Sequence, residues 1–178
     1  SITGAKVTQY LLEKSRVASV AEGERNYHVL YHLAEGAPKE KRAALGLEKG
    51  PASFYYLNQS SVKTLASMED VGMYNELVGA FPACGVNDAQ QTDVFAALAG
   101  VLHVGNITFS GDEEAKIVST EPLTHATNSL GTDLAACLTT KTMTVVGETT
   151  IVPLSPEKAA IARDASTRAM DVNGCAWV

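Results

Sequence analysis

The sequence predicts an α+β fold that is mainly α-helical, and three observations carry this prediction. Two long segments, 67–81 and 87–105, repeat apolar residues at helical spacing, and each begins with a helix-capping signature. Strand patterns are short, and the clearest is a pair of β-branched runs around Gly147-Glu148. The length of 178 residues suits one domain or a large subdomain with its own core.

The first third of the chain predicts one strand and two helices. Residues 5–12 form the strand pattern, and the charged step at 13–16 ends it. Residues 22–33 predict a helix, and residues 38–47 predict a short charged helix. The apolar repeat of the first helix comprises Tyr27, Leu30, Tyr31 and Ala34.

Capping signatures place the two central helices. Ser67, with Asp70 three residues later, has the form of a capping box, and Asn87 with Gln90 has the same spacing. Each segment then presents one apolar stripe, which indicates a helix packed on a core. The stripes comprise Val71, Tyr74, Leu77, Val78 and Phe81 in the first helix, and Val94, Phe95, Leu98, Val101 and Leu102 in the second.

Shorter elements follow Gly105. Ile107 and Phe109 alternate with polar residues as in a short strand, and residues 110–115 form an acidic loop. Residues 124–138 predict two short helices interrupted at 131–133. The runs 142–146 and 149–152 then predict a hairpin.

A further helix is predicted from residue 155. Ser155-Pro156-Glu157 supplies a cap, a proline in the first turn and an early acid, which together favour a helix start.

Composition excludes several classes of function. The net charge of -6 disfavours sequence-independent nucleic-acid binding, which needs a basic face. No apolar run approaches the roughly 18 residues of a membrane span, and the start has no signal-peptide pattern. Cys84, Cys137 and Cys175 are too widely spaced for a zinc pair, so we expect reduced thiols in an intracellular protein.

Catalytic patterns are incomplete. Gly100 to Gly105 has the glycine spacing of a phosphate loop, but Asn106 and Ile107 follow where Lys and Ser or Thr should stand. His28 and His32 lie four residues apart without a third metal ligand, and His103 and His125 have no visible partner. The acidic loop 111–115 and the hairpin 142–152 remain, and both are also compatible with ordinary solvent-facing connections.

Five sequence motifs resemble the motor domain of myosins, in order and at familiar spacing. They are GAKVTQYLLEKSRV at 4–17, GERNYHVLYHL at 23–33, YLNQS at 56–60, AGVLHVGNITF at 99–109 and GETTIVPLSPEKA at 147–159. The resemblance runs from residue 4 to about residue 170. It implies a partial motor of the P-loop NTPase type.

The resemblance also implies which part of the motor this is. The family's phosphate loop and first switch would precede these residues and its second switch would follow them, and their motifs GESGAGKT, NNNSSRFGK and DIFGFE do not occur here. Residues 4–12 would be one central-sheet strand, 13–154 the upper 50 kDa subdomain, and 155–178 a long helix leading to the lower subdomain. The resemblance therefore implies ATP and magnesium in the intact motor, with no cofactor, metal or catalytic residue in this chain.

Two actin-facing regions are implied by the same resemblance. Residues 110–118 fall at the family's loop four, and residues 141–153 at its cardiomyopathy loop. Myosins often carry an acid or a phosphorylatable hydroxyl in the latter, sixteen positions before an Asp that matches Asp164, which gives Glu148. Actin-binding residues expected on this basis are Asp112, Glu113, Glu114, Lys116, Lys141, Thr144, Gly147, Glu148 and Thr149.

The last segment departs from the family pattern. RDASTRAMDVNGCAWV is one residue short of the expected helix, with Ser166 and Thr167 in place of apolar and small residues. Gly174 costs about 1 kcal/mol inside a helix. The sequence therefore predicts divergence after residue 165 and a weakened helix beyond Met170.

Three functions follow as hypotheses. The first is a fragment of an actin-dependent motor ATPase that contributes the upper wall of the actin-binding cleft and not the nucleotide chemistry. Its partners would be the actin filament and the remainder of the motor, without nucleic acid or membrane, in the cytoplasm at the cytoskeleton. The second is a standalone actin-binding or protein-interaction module on a myosin-like scaffold without ATPase activity. The third is a degenerate product with neither function.

The missing phosphate-binding motifs yield a direct prediction. We expect the isolated chain neither to hydrolyse ATP nor to bind it specifically, because no residue set in it can cradle a phosphate. Calorimetric titration with ATP should give no heat beyond dilution. Micromolar binding, equivalent to about -8 kcal/mol, would contradict this expectation.

Overall fold

The described residues are mainly helical, as the sequence predicts, and they form two small antiparallel hairpins, of which the sequence predicts only the second. The computed structural model describes residues 13, 15–145 and 148–174, except for the side chains of 145 and 171–174. The predicted strand 5–12 lies outside the described residues. The helices are α1 (His28–Tyr31), α2 (Lys39–Ala44), α3 (Asp70–Ala80), α4 (Asp88–Gly105), α5 (Thr120–Leu130), α6 (Leu134–Thr139) and α7 (Pro156–Gly174). The strands are β1 (Phe109–Ser110), β2 (Lys116–Ile117), β3 (Thr140–Val145) and β4 (Glu148–Pro153).

Helix α4 is the centre of the fold, and its predicted start is confirmed. The Asn87 side chain accepts a hydrogen bond from the Gln90 amide at 3.0 Å, and the Gln90 side chain accepts one from the Asn87 amide at 2.9 Å. Phe95 on this helix is fully buried, with ring centroids 5.4 Å from Tyr74 and 5.8 Å from Phe81. Burying such a ring contributes about 1.5–3 kcal/mol, so the capped helix is fixed by its core contacts.

Helix α3 starts later than the sequence predicts. Its N-cap is Glu69, whose carboxylate accepts a hydrogen bond from the Gly72 amide at 2.7 Å. The prediction of a capping box from Ser67 is therefore wrong. Asp70 cannot complete such a box, because the Arg25 guanidinium holds its carboxylate at 2.6 and 2.7 Å.

The predicted helix 22–33 begins only at His28 and continues as a π-helical segment, His32–Gly36. The residues before it are held in irregular backbone by tertiary hydrogen bonds. The side-chain amide of the buried Asn26 donates to the Val17 carbonyl at 3.0 Å and to the Tyr56 carbonyl at 2.8 Å. These bonds satisfy distant backbone groups that the sequence pattern does not reveal.

The described residues of the charged step, namely 13, 15 and 16, lie at or near the surface. Arg16 pairs with Glu13 at 2.8 Å and with Glu24 at 2.9 Å. Exposed ion pairs of this kind contribute about 0–1 kcal/mol each, so they add little to the stability of the fold.

A second core lies between the end of α4 and helices α5 and α6, and the predicted interruption between those two helices is confirmed. The Asp133 carboxylate caps α6 by accepting a hydrogen bond from the Ala135 amide at 3.0 Å. The buried residues of this core are Val104, Ile107, Ala126, Leu134 and Leu138.

Two histidines link α4, α5 and the turn after α2, which corrects the expectation that they have no partner. The rings of His103 and His125 stack with centroids 4.6 Å apart. His103 Nε2 lies 2.8 Å from the Leu45 carbonyl, and since a carbonyl only accepts, this nitrogen carries the proton. The neighbouring charged groups are Glu121 and Lys49, which form an exposed ion pair at 3.5 Å. Burial lowers the pKa of His103.

The stacked pair predicts sensitivity to acid. In the unfolded chain His103 takes up a proton near its ordinary pKa of 6.5, whereas burial keeps its pKa in the folded chain below that value. The free energy of unfolding should therefore be fully developed above about pH 6.5 and decrease as the pH falls further. Urea unfolding at a series of pH values measures this slope.

His103→Gln provides the control for that slope. It retains a donor for the Leu45 carbonyl but does not titrate. The variant should lose less stability than the parent between about pH 7 and pH 5, and equal slopes would contradict the assignment.

Candidate functional site

The acidic loop is a tight, exposed connection between β1 and β2. The two strands pair Phe109 with Ile117 and Ser110 with Lys116. Gly111 adopts a φ of 122°, and a Cβ there would collide with the Glu114 carbonyl, so only glycine fits the reversal. The expected partner-binding residues of this loop, namely Asp112, Glu113, Glu114 and Lys116, are all exposed.

The predicted hairpin is also confirmed, and it is longer than the sequence pattern indicates. Its register runs from Thr140 opposite Pro153 to Val145 opposite Glu148. Glu148 therefore begins β4, and the expected site residue Gly147 lies outside the described residues. The side chains of Lys141, Thr144, Glu148 and Thr149 are exposed.

Both faces of the hairpin meet solvent. Thr144 and Thr149 lie opposite each other, with their hydroxyl oxygens 3.3 Å apart. Ile151 on the same face is 69% exposed, and Met143 on the other face is 41% exposed. A hairpin that buries neither face and presents apolar side chains to water is typical of a surface that meets a partner.

The two regions adjoin at their bases. The Ala115 amide donates to the Leu154 carbonyl at 2.7 Å, and the Leu154 amide donates to the Thr139 carbonyl at 2.8 Å. The structure thus brings the acidic loop and the root of the hairpin together, although 39 residues separate Ala115 from Leu154 along the chain.

Helix α7 is held against the body by a buried polar network that sequence reasoning missed. Arg163 Nη1 donates to the Gly105 carbonyl at 3.2 Å and to the Ile107 carbonyl at 2.9 Å. Its Nε donates to Asp164 Oδ1 at 2.8 Å. The hydroxyl of the fully buried Tyr56 donates to the same carboxylate oxygen at 2.9 Å, and burial raises the pKa of this hydroxyl.

Thr167 belongs to this network, which changes the interpretation of the divergent segment. Its hydroxyl donates to the Arg163 carbonyl at 3.0 Å and lies 3.0 Å from the Tyr56 hydroxyl. The residue is fully buried, and α7 continues through Gly174. The backbone beyond Met170 is helical to Gly174, while the expected weakness of the helix there stays a prediction. The hydroxyl of Thr167 is satisfied within the core, so its presence in a helix carries little penalty.

The glycines with the spacing of a phosphate loop are packed inside a helix. Gly100 and Gly105 both lie inside α4, where a Cβ on either would meet Leu130 or Tyr56 within 2.7 Å. Their spacing serves close packing and not a phosphate loop. Within the described ranges, no group of three or more His, Cys, Asp or Glu side chains could hold a metal ion. His32 instead lies 3.5 Å from the Asp70 carboxylate in the buried ion-pair cluster.

Comparison with known proteins identifies the family. A family model described as the myosin head (motor domain) matches residues 1–177. The chain belongs to the myosin motor domain family. Unconventional myosin-Ic of Mus musculus is 36% identical to it in an alignment of 180 positions that covers 98% of this chain and 17% of that protein. This myosin segment therefore spans about a sixth of the length of that relative.

The family likeness extends to distant organisms. The myosin IE heavy chain of Dictyostelium discoideum is 32% identical over 94% of this segment and 18% of its own length. Unconventional myosin-XV of Homo sapiens is 33% identical over 99% of the segment and 5% of its own length. Of the helices described in this myosin segment, none combines the length and the apolarity that a membrane crossing requires.

The polar network yields a test with a built-in control. Tyr56→Phe removes the hydroxyl that donates to Asp164 and contacts the Thr167 hydroxyl, so the free energy of unfolding should fall by about 1–2 kcal/mol. Tyr55→Phe changes a neighbouring ring that is 49% exposed and should alter stability by less than about 0.5 kcal/mol. Chemical unfolding of both variants measures the difference, and equal losses would show that the network adds nothing to stability.

Proposed function

We propose that this segment forms the upper wall of the actin-binding cleft in a myosin motor. Residues 13–154 would be the upper 50 kDa subdomain, and 155–178 would lead toward the lower subdomain, with 4–12 as a strand of the central sheet. Family membership supports a place within a motor, and the exposed hairpin supports a surface that meets a partner. The actin filament and the remainder of the motor are the proposed partners, at the cytoskeleton in the cytoplasm.

The hairpin is the observation that carries this proposal. Four consecutive side chains are exposed on each strand, from Lys141 to Thr144 on β3 and from Glu148 to Ile151 on β4. The threonine hydroxyls of the hairpin offer hydrogen bonds without fixed charge, while Met143 and Ile151 offer apolar contact. This combination suits the polar rim and apolar centre of a protein interface.

Glu148 is proposed to supply the negative charge of this surface. It begins β4, where pairing with Val145 holds its backbone beside the turn. A carboxylate at this position needs no phosphorylation to provide an anionic group. Charge at the rim of an interface mainly changes the association rate and its salt dependence, so we assign Glu148 to the encounter with actin.

The nucleotide chemistry is proposed to reside outside this segment. Its candidate glycines pack inside α4, which supports placing the phosphate-binding steps outside this segment. ATP and magnesium would be held by the remainder of the motor. This segment is proposed to contact actin and to transmit the position of that contact through α7.

Glu148→Lys in a motor built around this segment tests the proposal. The exposed side chain should change stability by no more than about 0.5 kcal/mol, and ATPase activity without actin should be unchanged. Actin activation should decrease, most strongly at low salt, where charges act over about 30 Å at 0.01 M. Glu148→Gln should show a smaller decrease in the same direction.

The control for this charge reversal is Glu76→Lys. Glu76 is exposed on α3, whose buried Tyr74 packs against Phe95 of α4 and not against the hairpin. Its reversal should leave actin activation unchanged at every salt concentration. Equal activation of the Glu148→Lys variant and the parent at low salt would remove the case for Glu148.

A further inference from the structure

Leu154 links two surface regions that are far apart in the sequence. Its carbonyl accepts from the Ala115 amide at 2.7 Å, and its amide donates to the Thr139 carbonyl at 2.8 Å. The residue itself is 6% exposed. Water competes little for the hydrogen-bonding groups of such a buried site, and leaving a buried donor or acceptor unpaired is unfavourable. The two hydrogen bonds therefore hold Ala115 and Thr139 against Leu154.

Two prolines restrict the chain on either side of this point. Pro153 ends β4 and Pro156 begins α7, so the φ angles on both sides of Leu154 are fixed by rings. The residue before each proline is also biased toward extended backbone. Leu154 is thus a stiff connection between the hairpin and the helix that the Arg163 network anchors.

The acidic loop is stiff for a separate reason. It closes on the pairing of Ser110 with Lys116, and its reversal depends on Gly111 close to the Glu114 carbonyl. The same peptide group donates to Leu154 through the Ala115 amide. A loop that is closed at its own base and bonded to Leu154 moves with the root of the hairpin.

The charges of the two regions belong to one surface in consequence. Three adjacent carboxylates, at 112–114, stand on the loop, and Glu148 stands beside the hairpin turn, with Lys116 and Lys141 as the basic groups. Acids outnumber bases on this surface, and hydroxyl groups fill the hairpin between them. A complementary partner presents basic side chains opposite the loop and Glu148, and hydrogen-bonding groups opposite the threonines of the hairpin.

We infer that Leu154 is a positioning residue that joins the acidic loop and the hairpin into one composite docking surface for a partner patch bearing lysine or arginine. The inference rests on the proposed function, which makes that partner the actin filament. It adds that the two regions bind as a unit, since pre-organised groups avoid the entropy of ordering two independent loops at the interface.

Ala115→Pro tests, without a partner, the hydrogen bond that joins the acidic loop to Leu154, called the joint below. Proline removes the donor to Leu154 and changes no charge, and Ala115→Ser retains the donor as the matched control. Amide hydrogen exchange in the full chain should become at least tenfold faster at Leu154 and at the root of the hairpin in the proline variant only. Unchanged exchange would overturn the joint and would leave the proposed function standing.

Gly111→Ala disturbs the same bond by another route, should the proline variant fail to fold. A Cβ at this position meets the Glu114 carbonyl and displaces the peptide group that carries the Ala115 amide. Exchange at Leu154 should accelerate again. If the Gly111→Ala variant shows no faster exchange at Leu154, that result would also overturn the joint.

Actin cosedimentation at low salt then tests the docking surface in a motor built around this segment. Neutralising the loop with Asp112→Asn, Glu113→Gln and Glu114→Gln should weaken affinity several-fold. Ala115→Pro should weaken it to a similar degree, and combining both changes should add little, because each removes the same contribution.

Two other results would overturn the inference. Parental affinity in the Ala115→Pro motor, with weakened affinity in the neutralised one, would show that the joint has no part in binding. Parental affinity in the neutralised motor would remove the acidic loop from the proposed actin site and the composite surface with it.

Discussion

The fold depends on the buried guanidinium of Arg163. The last carbonyls of a helix lack partners within it and carry the negative end of its dipole. Arg163 donates to the Gly105 carbonyl at the end of α4 and to the Ile107 carbonyl just beyond it. One side chain of α7 therefore satisfies the end of the central helix. Removing it would leave buried carbonyls unpaired, at a cost of about 1–3 kcal/mol each.

The remaining contacts of α7 follow from this placement. A buried cation needs a nearby anion, and Asp164 provides it while it also accepts from Tyr56. Thr167 closes the network one helical turn after Arg163. Since α7 begins only two residues after Leu154, its fixed position also sets the root of the hairpin and, through Ala115, the acidic loop. The proposed actin-facing surface is thus oriented from the core outward.

Local signals explain which elements the sequence predicts well. The capping pair Asn87 and Gln90 lies three residues apart and forms from its own segment, so the start of α4 is readable. The hairpin around Gly147-Glu148 is readable for the same reason. The start of α3 is not, because the cluster that occupies Asp70 includes Arg25, which is 45 residues distant. The stacking of His103 on His125 likewise joins separate helices.

The sequence by itself determined the mainly helical class, most helices and the two exposed acidic and hydroxyl-rich regions, because periodicity, capping and turn chemistry act over a few residues. Five ordered motifs also sufficed to predict the family, which the match over residues 1–177 confirms. Only the tertiary structure decided that Thr167 stabilises a buried network and that Leu154 joins the two regions. Those roles depend on hydrogen bonds between distant segments, and no local pattern of residue types encodes which donor meets which acceptor.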